Sequence, residues 1–382
     1  MKITRFETFQ VQPHWLFLKV STDEGICGWG EPILEGRSLI VEQAVHVLGD
    51  LLLGQDPRNI EYLWQLMYRS SFYRGGPILM SAISGIEQAL WDIKGKYYEM
   101  PVWQLLAGKY RDKIRMYAHI TPSAPKPTME ELVASAKEHV GNGFTALKMT
   151  LSAPIRHIDT QEKAQNCVEQ FAAVRETVGS GVDIAIDFHG RVSPAMAVRL
   201  CKLLEEYYPM FIEEPVLPEN TDVMARVRAA TSIPIAAGER LFTPWGFREL
   251  VEKQAVDVLQ PDPCHCGGIS TVMKIAAMGQ NYYNSIAPHN PLGPIALAAC
   301  LQIDTCIPNF TAQEHPTTAE GYDLGNRYFK TPFVIENGYI RAPEQPGLGF
   351  EMNEEALDAL RTDGKWNCPV LYYEDENALA DW

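Results

Sequence analysis

The chain has 382 residues, of which 46% are hydrophobic, so it can bury one large core or the cores of two ordinary domains. Charged residues make up 21% and the formal net charge is −15, a balance that argues against long disordered segments and against binding to a nucleic-acid backbone. No stretch approaches the roughly 18 unbroken apolar residues of a membrane span, so no membrane partner is expected.

The first third of the chain predicts a small sheet followed by helices. The N-terminus has no apolar signal-peptide core, which favours a cytoplasmic location. Pro77 fits the first turn of a helix, where its missing N–H costs nothing. Alternation and helical spacing of apolar residues predict strands at 2–11, 15–22 and 25–32, and helices at 38–53, 57–69 and 77–96.

From about residue 113, short apolar strands alternate with amphipathic helices. Eight strands are predicted, at 114–120, 145–149, 182–187, 210–214, 233–239, 256–262, 284–289 and 309–314. Seven helices lie between them, at 128–141, 160–178, 194–206, 220–230, 244–253, 269–279 and 293–304. Such alternation implies parallel strands joined by right-handed crossovers, and eight of them close a TIM-type barrel. An open, doubly wound sheet is the alternative, although it usually has fewer strands.

Ionisable side chains end strands three to eight of the predicted barrel, where catalytic residues of this architecture lie. Asp187, Glu213 and Glu239 follow three successive strands at equal intervals of 26 residues, about one β/α unit. We expect these carboxylates at equivalent heights, where they would repel one another unless a cation neutralised them. Oxygen ligands of this kind suit Mg²⁺ or Mn²⁺. Taken alone, a strand-end Asp is more often a helix N-cap, and a lone Glu is usually solvated.

A second candidate group is a histidine and an aspartate on neighbouring strands. His289 ends strand seven and Asp262 ends strand six, so the carboxylate can fix the tautomer of the imidazole and raise its basicity. His189 projects with Asp187 from strand three, across the expected metal from His289. Two imidazoles placed in this way suit a reaction that removes one proton and delivers another.

Other polar residues carry weaker signals. Glu214 is expected to point away from the metal and to pair with a cation, and His119 could line the site from the end of strand one. The eight cysteines lack a second pair at zinc-like spacing, so reduced thiols and no zinc site are expected. Ordinary surface or loop positions are expected for His157, His265 and His315.

Several segments together resemble the enolase superfamily, in its mandelate racemase-like branch. They are IDFHGR, FIEEP, AAGER, LQPD followed by GGI, and APHNPLGPIALAA, with GWGEP and YRGGPILMSAISGIEQALWDIKGK in the first third. The resemblance covers nearly the whole chain and extends to the acid-sugar dehydratases of that branch. It implies a (β/α)7β TIM-type barrel at 113–315, capped by an α+β domain from residues 1–112, onto which residues 316–382 pack back.

The resemblance also implies the cofactor and the reaction. Mg²⁺ would be bound by Asp187, Glu213 and Glu239, and would stabilise the enediolate that forms when an acid sugar loses its α-proton. The enol product would then ketonise to a 2-keto-3-deoxy acid. Galactonate is the substrate that this resemblance favours.

Four residues take roles from the same resemblance. His289, oriented by Asp262, would be the base at C2. His189 would be the acid that protonates the departing 3-hydroxyl. Glu314, at the end of strand eight, would lie near the substrate carboxylate and, if protonated, would hydrogen-bond the enediolate.

One departure from the family concerns the end of strand two. Many relatives carry Lys-x-Lys there, whereas this chain reads Lys148-Met149-Thr150, which disfavours chemistry that uses the second lysine as base. Lys148 remains to neutralise the substrate carboxylate, or to form an ion pair inside the barrel. Loops at 35–37 and 72–76 are expected to shape the hydroxyl-binding end, where Arg74 either bonds a polyol or belongs to a simple turn.

Three alternatives to the galactonate reading stay open. The substrate could be another aldonic acid of the gluconate, arabinonate or mannonate type, the reaction could be racemisation or epimerisation of a 2-hydroxy acid, or the chain could be catalytically silent. The family also implies a homo-oligomer, because both dimers and octamers of such barrels are common. A small acid sugar is the expected partner, rather than nucleic acid or a membrane.

Overall fold

The computed structural model describes residues 1–120, 127–151, 154–316, 323–373 and 376–381. The chain begins with the predicted three-stranded antiparallel sheet. Its central strand, β2 (Trp15–Thr22), pairs with β1 (Ile3–Val11) on one side and with β3 (Cys27–Gly30) on the other.

Four helices follow this sheet: α1 (Ser38–Asp50), α2 (Ile60–Arg69), α3 (Pro77–Tyr97) and α4 (Val102–Leu106). Helix α3 is buried along most of its length, and Pro77 occupies its first turn as predicted. The sheet packs on α3 so closely that a Cβ added to Gly30 would lie 1.9 Å from the backbone oxygen of Gly85. Within the described residues, no helix is long and apolar enough to cross a membrane.

Eight parallel strands form the closed barrel in the described part of the chain. In order they are β4 (Lys113–His119), β5 (Ala146–Thr150), β6 (Asp183–Asp187), β7 (Ile212–Glu213), β8 (Ile235–Ala237), β9 (Val258–Leu259), β10 (Ser285–Ile286) and β11 (Gln313–His315). Strands β4 to β10 pair in chain order, each with the next. Strand β11 pairs with β4. A bridge between Ile286 and Phe310 joins the β10 and β11 segments. The predicted barrel is therefore confirmed, and the open sheet is wrong.

Seven helices connect these strands within the described ranges. They are α5 (Met129–Gly141), α6 (Gln161–Val178), α7 (Pro194–Leu204), α8 (Thr221–Ala229), α9 (Thr243–Glu252), α10 (Ile269–Gln280) and α11 (Pro294–Cys306). Four of them begin with a side-chain cap, which satisfies a free backbone N–H of the first turn. The capping residues are Thr128, Thr160, Ser193 and Asn220.

The C-terminal part is less irregular than its composition suggests. It contains β12 (Ile335–Glu336), β13 (Tyr339–Arg341), α12 (Glu354–Ala359), β14 (Tyr372–Tyr373) and β15 (Ala378–Leu379). Strand β13 pairs antiparallel with β4, outside the parallel set. The backbone N–H of Thr362 donates to Gln10 O at 2.9 Å, and that of Gln12 donates to Leu360 O at 2.9 Å. The segment after α12 thus contacts the N-terminal sheet.

Candidate active site

The inward-facing residues of the barrel form two layers. The lower layer is a small core cluster of Tyr117, Ala146, Ala185, Phe211, Ala236, Val258, Ala287 and Ala312. Because side chains alternate along a strand, the residue two positions after each of these also points inward. Those residues are His119, Lys148, Asp187, Glu213, Gly238, Gln260, His289 and Glu314. The polar residues at the strand ends therefore form one layer over a floor of small and aromatic side chains.

The three predicted metal ligands lie together at one side of this layer. Asp187, Glu213 and Glu239 offer carboxylate oxygens that all lie within 4.8 Å of one another. Their heights are unequal, however, because Glu213 pairs in register with Ala236 of β8, three residues before Glu239. Asp187 and Glu213 do pair in register as their spacing predicts, so the prediction fails only at Glu239, where the in-register partner of Glu213 is 23 residues further along the chain rather than 26.

The chemistry of this triad fits a divalent cation. Within the described residues, Oε1 of Glu213 and Oε2 of Glu239 are buried and accept no hydrogen bond. Burial, followed by repulsion from neighbouring carboxylates, raises the pKa of both Glu213 and Glu239 well above the usual range. Buried oxygens without a proton donor are the ligands that hard divalent cations bind.

Lys148 lies between the triad and the end of strand β11. Its Nζ is 3.1 Å from Asp187, 2.7 Å from Glu213 and 2.8 Å from Glu314. Burial opposes the charge, but the three carboxylates outweigh it and raise the pKa of Lys148 well above its ordinary value. Lys148 is therefore a buried cation that holds together two halves of the acidic site.

Glu314 is surrounded by donors. One oxygen accepts from Lys148 Nζ at 2.8 Å and lies 2.6 Å from His119 Nε2, and the other accepts the Asn290 N–H at 2.9 Å. Although burial opposes it, Lys148 and then His119 lower the pKa of Glu314 well below its usual range. These donors stabilise the ionised carboxylate, so they oppose the protonated form in which Glu314 would hydrogen-bond an enediolate. His119 lies in the site, as its position at the end of β4 allowed.

His289 and Asp262 make direct contact. Nδ1 of His289 lies 2.8 Å from Asp262 Oδ2, while Asp262 Oδ1 accepts the backbone N–H of Cys264 at 2.6 Å. Nε2 of His289 faces the triad, 3.4 Å from Glu239 Oε2. Burial lowers the pKa of His289, but the hydrogen bond to Asp262 and the charge of Glu314 raise it to about 9. With Nδ1 held by Asp262, Nε2 of His289 is thus directed at the centre of the site.

His189 approaches the triad from the other side. Its Nε2 lies 3.0 Å from Asp187 Oδ2, and its Nδ1 lies 3.0 Å from Arg191 Nη2. A guanidinium only donates, so Nδ1 accepts and the proton of a neutral His189 is on Nε2, facing the triad. The backbone of His189 has φ of 50°, which bends the chain sharply after β6.

Glu214 and Arg240 support this bend. Glu214 points away from the triad and forms a bidentate ion pair with Arg240, which confirms the predicted pairing with a cation. Arg240 Nη2 also donates to the carbonyl oxygen of His189 at 3.2 Å. The ion pair therefore fixes the turn that carries His189.

Two histidines expected in surface or loop positions are buried. His265 is 6% exposed, with Nδ1 3.0 Å from Ser81 Oγ on helix α3, and His315 is fully buried at the end of β11. His265 does lie in a loop, between β9 and α10, but it is covered by helix α3, whereas the expectation is wrong for His315, which is inside strand β11 and pairs with Ala118. His157 is exposed, as expected.

The two loops expected at the hydroxyl-binding end, 35–37 and 72–76, differ in burial: Arg74 is exposed, whereas Glu35 is partly buried. The guanidinium of Arg74 contacts Ser71 O at 3.5 Å and the Tyr68 ring at 6.0 Å, within its own segment. Glu35 belongs to the other predicted loop, 35–37, although no role was predicted for its side chain; burial raises its pKa, and the charges of His289 and His189 oppose the rise. The only sequence signal for Glu35 was its loop, directly after β3.

Comparison with known proteins agrees with this geometry. Residues 3–107 match the model of the mandelate racemase/muconate lactonizing enzyme N-terminal domain, and residues 131–356 match that of the enolase C-terminal domain-like family. Proteins named D-galactonate dehydratase from Ralstonia pickettii (strain 12J) and Cronobacter sakazakii (strain ATCC BAA-894) are each 47% identical, with 100% of both chains covered.

Solved structures give the same result. A mandelate racemase/muconate lactonizing enzyme from Jannaschia sp. CCS1 aligns with a TM-score of 0.88 at 32% identity, covering 95% of this chain and 98% of its own. A member of the enolase superfamily from Salmonella Typhimurium also aligns at 0.88 and 32%, covering 94% and 97%. The chain therefore belongs to the enolase superfamily, in the mandelate racemase/muconate lactonizing enzyme family.

Proposed function

We propose that this chain is a Mg²⁺-dependent hydro-lyase that converts D-galactonate to a 2-keto-3-deoxy acid. The observation that carries the proposal is full-length identity of 47% to two relatives named D-galactonate dehydratase. The site supports it independently, because one imidazole, His289, is paired with a carboxylate as a base requires, and a second, His189, faces the triad from the opposite side.

The proposed reaction divides the proton transfers between the two histidines. Nε2 of His289 removes the proton from C2, since its Nδ1 is held by Asp262. The electron pair left at C2 then expels the 3-hydroxyl, which takes a proton from Nε2 of His189 in its imidazolium form and leaves as water, so His189 ends as a neutral imidazole. The resulting enol tautomerises to the 2-keto acid, so atoms and charges balance.

Asp187, Glu213 and Glu239 would hold Mg²⁺. When bound, the ion would supply Lewis-acid stabilisation of the negative charge that develops on the substrate carboxylate as the C2 proton leaves. Lys148, already in contact with Asp187 and Glu213, would place a second positive charge beside that carboxylate.

The distal hydroxyls would lie toward the loops over the barrel mouth. Glu35 is the better placed of the two candidate contacts, because it already lies near His289 and His189. Arg74 would reach the substrate only after its exposed loop closed over the mouth. The same proposal includes a cytoplasmic location and a homo-oligomeric state. It also assigns residues 1–112 and 316–382 to one capping domain.

A substrate panel tests the function. The protein is stripped with EDTA, reloaded with Mg²⁺ and incubated with galactonate, gluconate, arabinonate and mannonate while keto-acid formation is measured. The highest kcat/KM is expected for D-galactonate. A keto acid from none of them would refute the dehydratase, and exchange of the C2 proton in D₂O without elimination would identify a racemase or epimerase.

Two substitutions test the division of roles. His289→Asn should abolish both C2 exchange and elimination, because the base is lost. His189→Asn should reduce elimination more than exchange, because only departure of the hydroxyl needs the acid. Full activity of both variants would contradict the assignment.

A further inference from the structure

One face of helix α3 is bonded along its length to the segment that follows Asp262. Ser84 Oγ accepts the Gly267 N–H at 2.9 Å, and Gln88 donates to Pro263 O at 3.0 Å. Glu87 accepts the N–H groups of Ile269 and Ser270 at 2.8 and 2.9 Å. Residues three or four apart share one face of a helix, so a single polar stripe holds this segment.

Ser81 belongs to the same stripe, but its contact is different. Its Oγ lies 3.0 Å from Nδ1 of His265, a side chain 184 residues away in sequence. The other ring nitrogen, Nε2, lies 3.6 Å from Oδ2 of Asp262. That same oxygen is the acceptor for Nδ1 of His289 at 2.8 Å. Asp262 therefore has one imidazole that contacts the site and a second that contacts helix α3.

The surroundings of His265 determine its tautomer. Burial lowers the pKa of His265, so the ring is neutral and carries a single proton. A proton on Nδ1 would leave the lone pair of Nε2 facing the Asp262 carboxylate, which is repulsive. A proton on Nε2 points at that carboxylate, and the Ser81 hydroxyl then donates to Nδ1. The second arrangement avoids that repulsion and gives the Ser81 hydroxyl an acceptor.

We propose that His265, oriented by Ser81, is a positioning residue that holds the Asp262 carboxylate in the orientation His289 needs. Asp262 accepts two hydrogen bonds, from the Cys264 N–H on Oδ1 and from His289 on Oδ2, and Nε2 of His265 lies against the same Oδ2 at 3.6 Å, a polar contact longer than a hydrogen bond. Through this contact helix α3, outside the barrel, sets the geometry of the base. The inference rests on the proposed function, because it assigns His265 a part in proton removal from C2.

Ser84 provides a matched control for Ser81. Both are fully buried serines on the same face of α3, and both hydroxyls bond to the segment after Asp262. Ser84 contacts only backbone groups, at Gly267 and Met80, whereas Ser81 contacts the imidazole. Truncation of Ser81 removes the hydrogen bond to His265, and truncation of Ser84 removes two, to Met80 O and from the Gly267 N–H, so a purely structural role predicts that Ser84→Ala harms catalysis at least as much as Ser81→Ala.

The experiment compares Ser81→Ala with Ser84→Ala in the Mg²⁺-loaded protein. Ser81→Ala is expected to lower kcat and the rate of C2 exchange together by about tenfold, with KM changed less than about twofold, because the His265 ring loses the hydrogen bond that orients it against Asp262. Ser84→Ala is expected to keep kcat while lowering Tm by as much as Ser81→Ala. His265→Gln, which keeps an N–H, should retain more activity than His265→Leu.

Crystal structures of the two serine variants give a readout independent of turnover. In Ser81→Ala the His265 ring and the Asp262 carboxylate should rotate, while in Ser84→Ala both should stay in place. Equal kcat in the two serine variants, or unmoved groups in Ser81→Ala, would overturn the inference. A wild-type protein that does not convert galactonate would refute the proposed function alone, since the two structures still decide the role of His265.

Discussion

Replacing Asp262 with Asn tests the base most sharply, because the structure dictates which way the amide must face. Oδ1 accepts the Cys264 N–H at 2.6 Å, so the amide oxygen has to stay there. The NH₂ group then takes the place of Oδ2, 2.8 Å from Nδ1 of His289. Two donors cannot face each other, so His289 must accept at Nδ1 and carry its proton on Nε2. Nε2 then has no lone pair for the C2 proton.

The expected loss is large. In a Ser-His-Asp triad the same exchange leaves the geometry intact and lowers kcat by about 10⁴-fold through the wrong tautomer. A similar factor here corresponds to about 5 kcal/mol of transition-state stabilisation. Elimination and C2 exchange in D₂O should fall together, because both begin with removal of the same proton.

Asp304→Asn is the matched control for Asp262→Asn. Asp304 is an equally buried aspartate, but it lies in the body of α11 and contacts none of the proposed catalytic groups within the described residues. It should keep wild-type kcat. The reasoning is refuted if Asp262→Asn retains more than about a tenth of wild-type kcat, or if it loses elimination while exchange persists.

The remaining predictions concern the metal, the buried acid and the turn. Glu213→Gln should weaken Mg²⁺ binding by more than about tenfold in calorimetry, and unchanged affinity would exclude Glu213 as a ligand. Burial raises the pKa of Asp304 well above 3.8, so the free energy of unfolding of the wild type falls as pH rises from 3.8 toward the folded-state pKa. Asp304→Asn cannot ionise, so in denaturation experiments from pH 5 upward its stability should rise relative to wild type by up to about 1.4 kcal/mol per pH unit. A stability difference between the two proteins that does not change with pH would contradict this. Gly190 has φ of 66°, and a Cβ added there would lie 2.6 Å from Arg240, so Gly190→Ala should destabilise the protein by about 1–3 kcal/mol. Gly54→Ala is the control, because its φ is 78° but its Cβ would meet open space, and it should cost less stability. Equal losses of stability in the two variants would show that the Arg240 side chain moves aside at no cost.

The barrel and the contents of its mouth could be predicted because their signals are local. Strand β5 was expected at 145–149 and occupies Ala146–Thr150, since a short apolar run between amphipathic helices has few other structures. Alternation along each strand then places Lys148 and Asp187 directly above Ala146 and Ala185. The register of Glu239 could not be predicted, because equal spacing brings Asp187 and Glu213 into register but the next β/α repeat is three residues shorter, a difference that no local pattern signals.

Contacts between distant parts of the chain account for what the sequence did not reveal. His265 looked like a loop residue because nothing near it in sequence explains a buried imidazole, and its partner Ser81 lies 184 positions earlier. Arg74 was chosen for its residue type and its glycine neighbours, yet it contacts its own segment. No role was predicted for the Glu35 side chain, because a single acidic residue in a loop carries no periodic signal.

The balance of charge explains why the metal and the lysine are both needed. Four carboxylates meet here, with Asp187, Glu213 and Glu314 buried and Glu239 partly buried, and the buried Lys148 contacts the first three of them. One positive charge is too little, and the raised pKa values of Glu213 and Glu239 show that these two carboxyls would otherwise bind protons. A protonated carboxyl cannot ligate a cation, so Mg²⁺ and protons compete for the same oxygens. Lys148 keeps Glu314 and Asp187 ionised, and a divalent cation would do the same for Glu213 and Glu239.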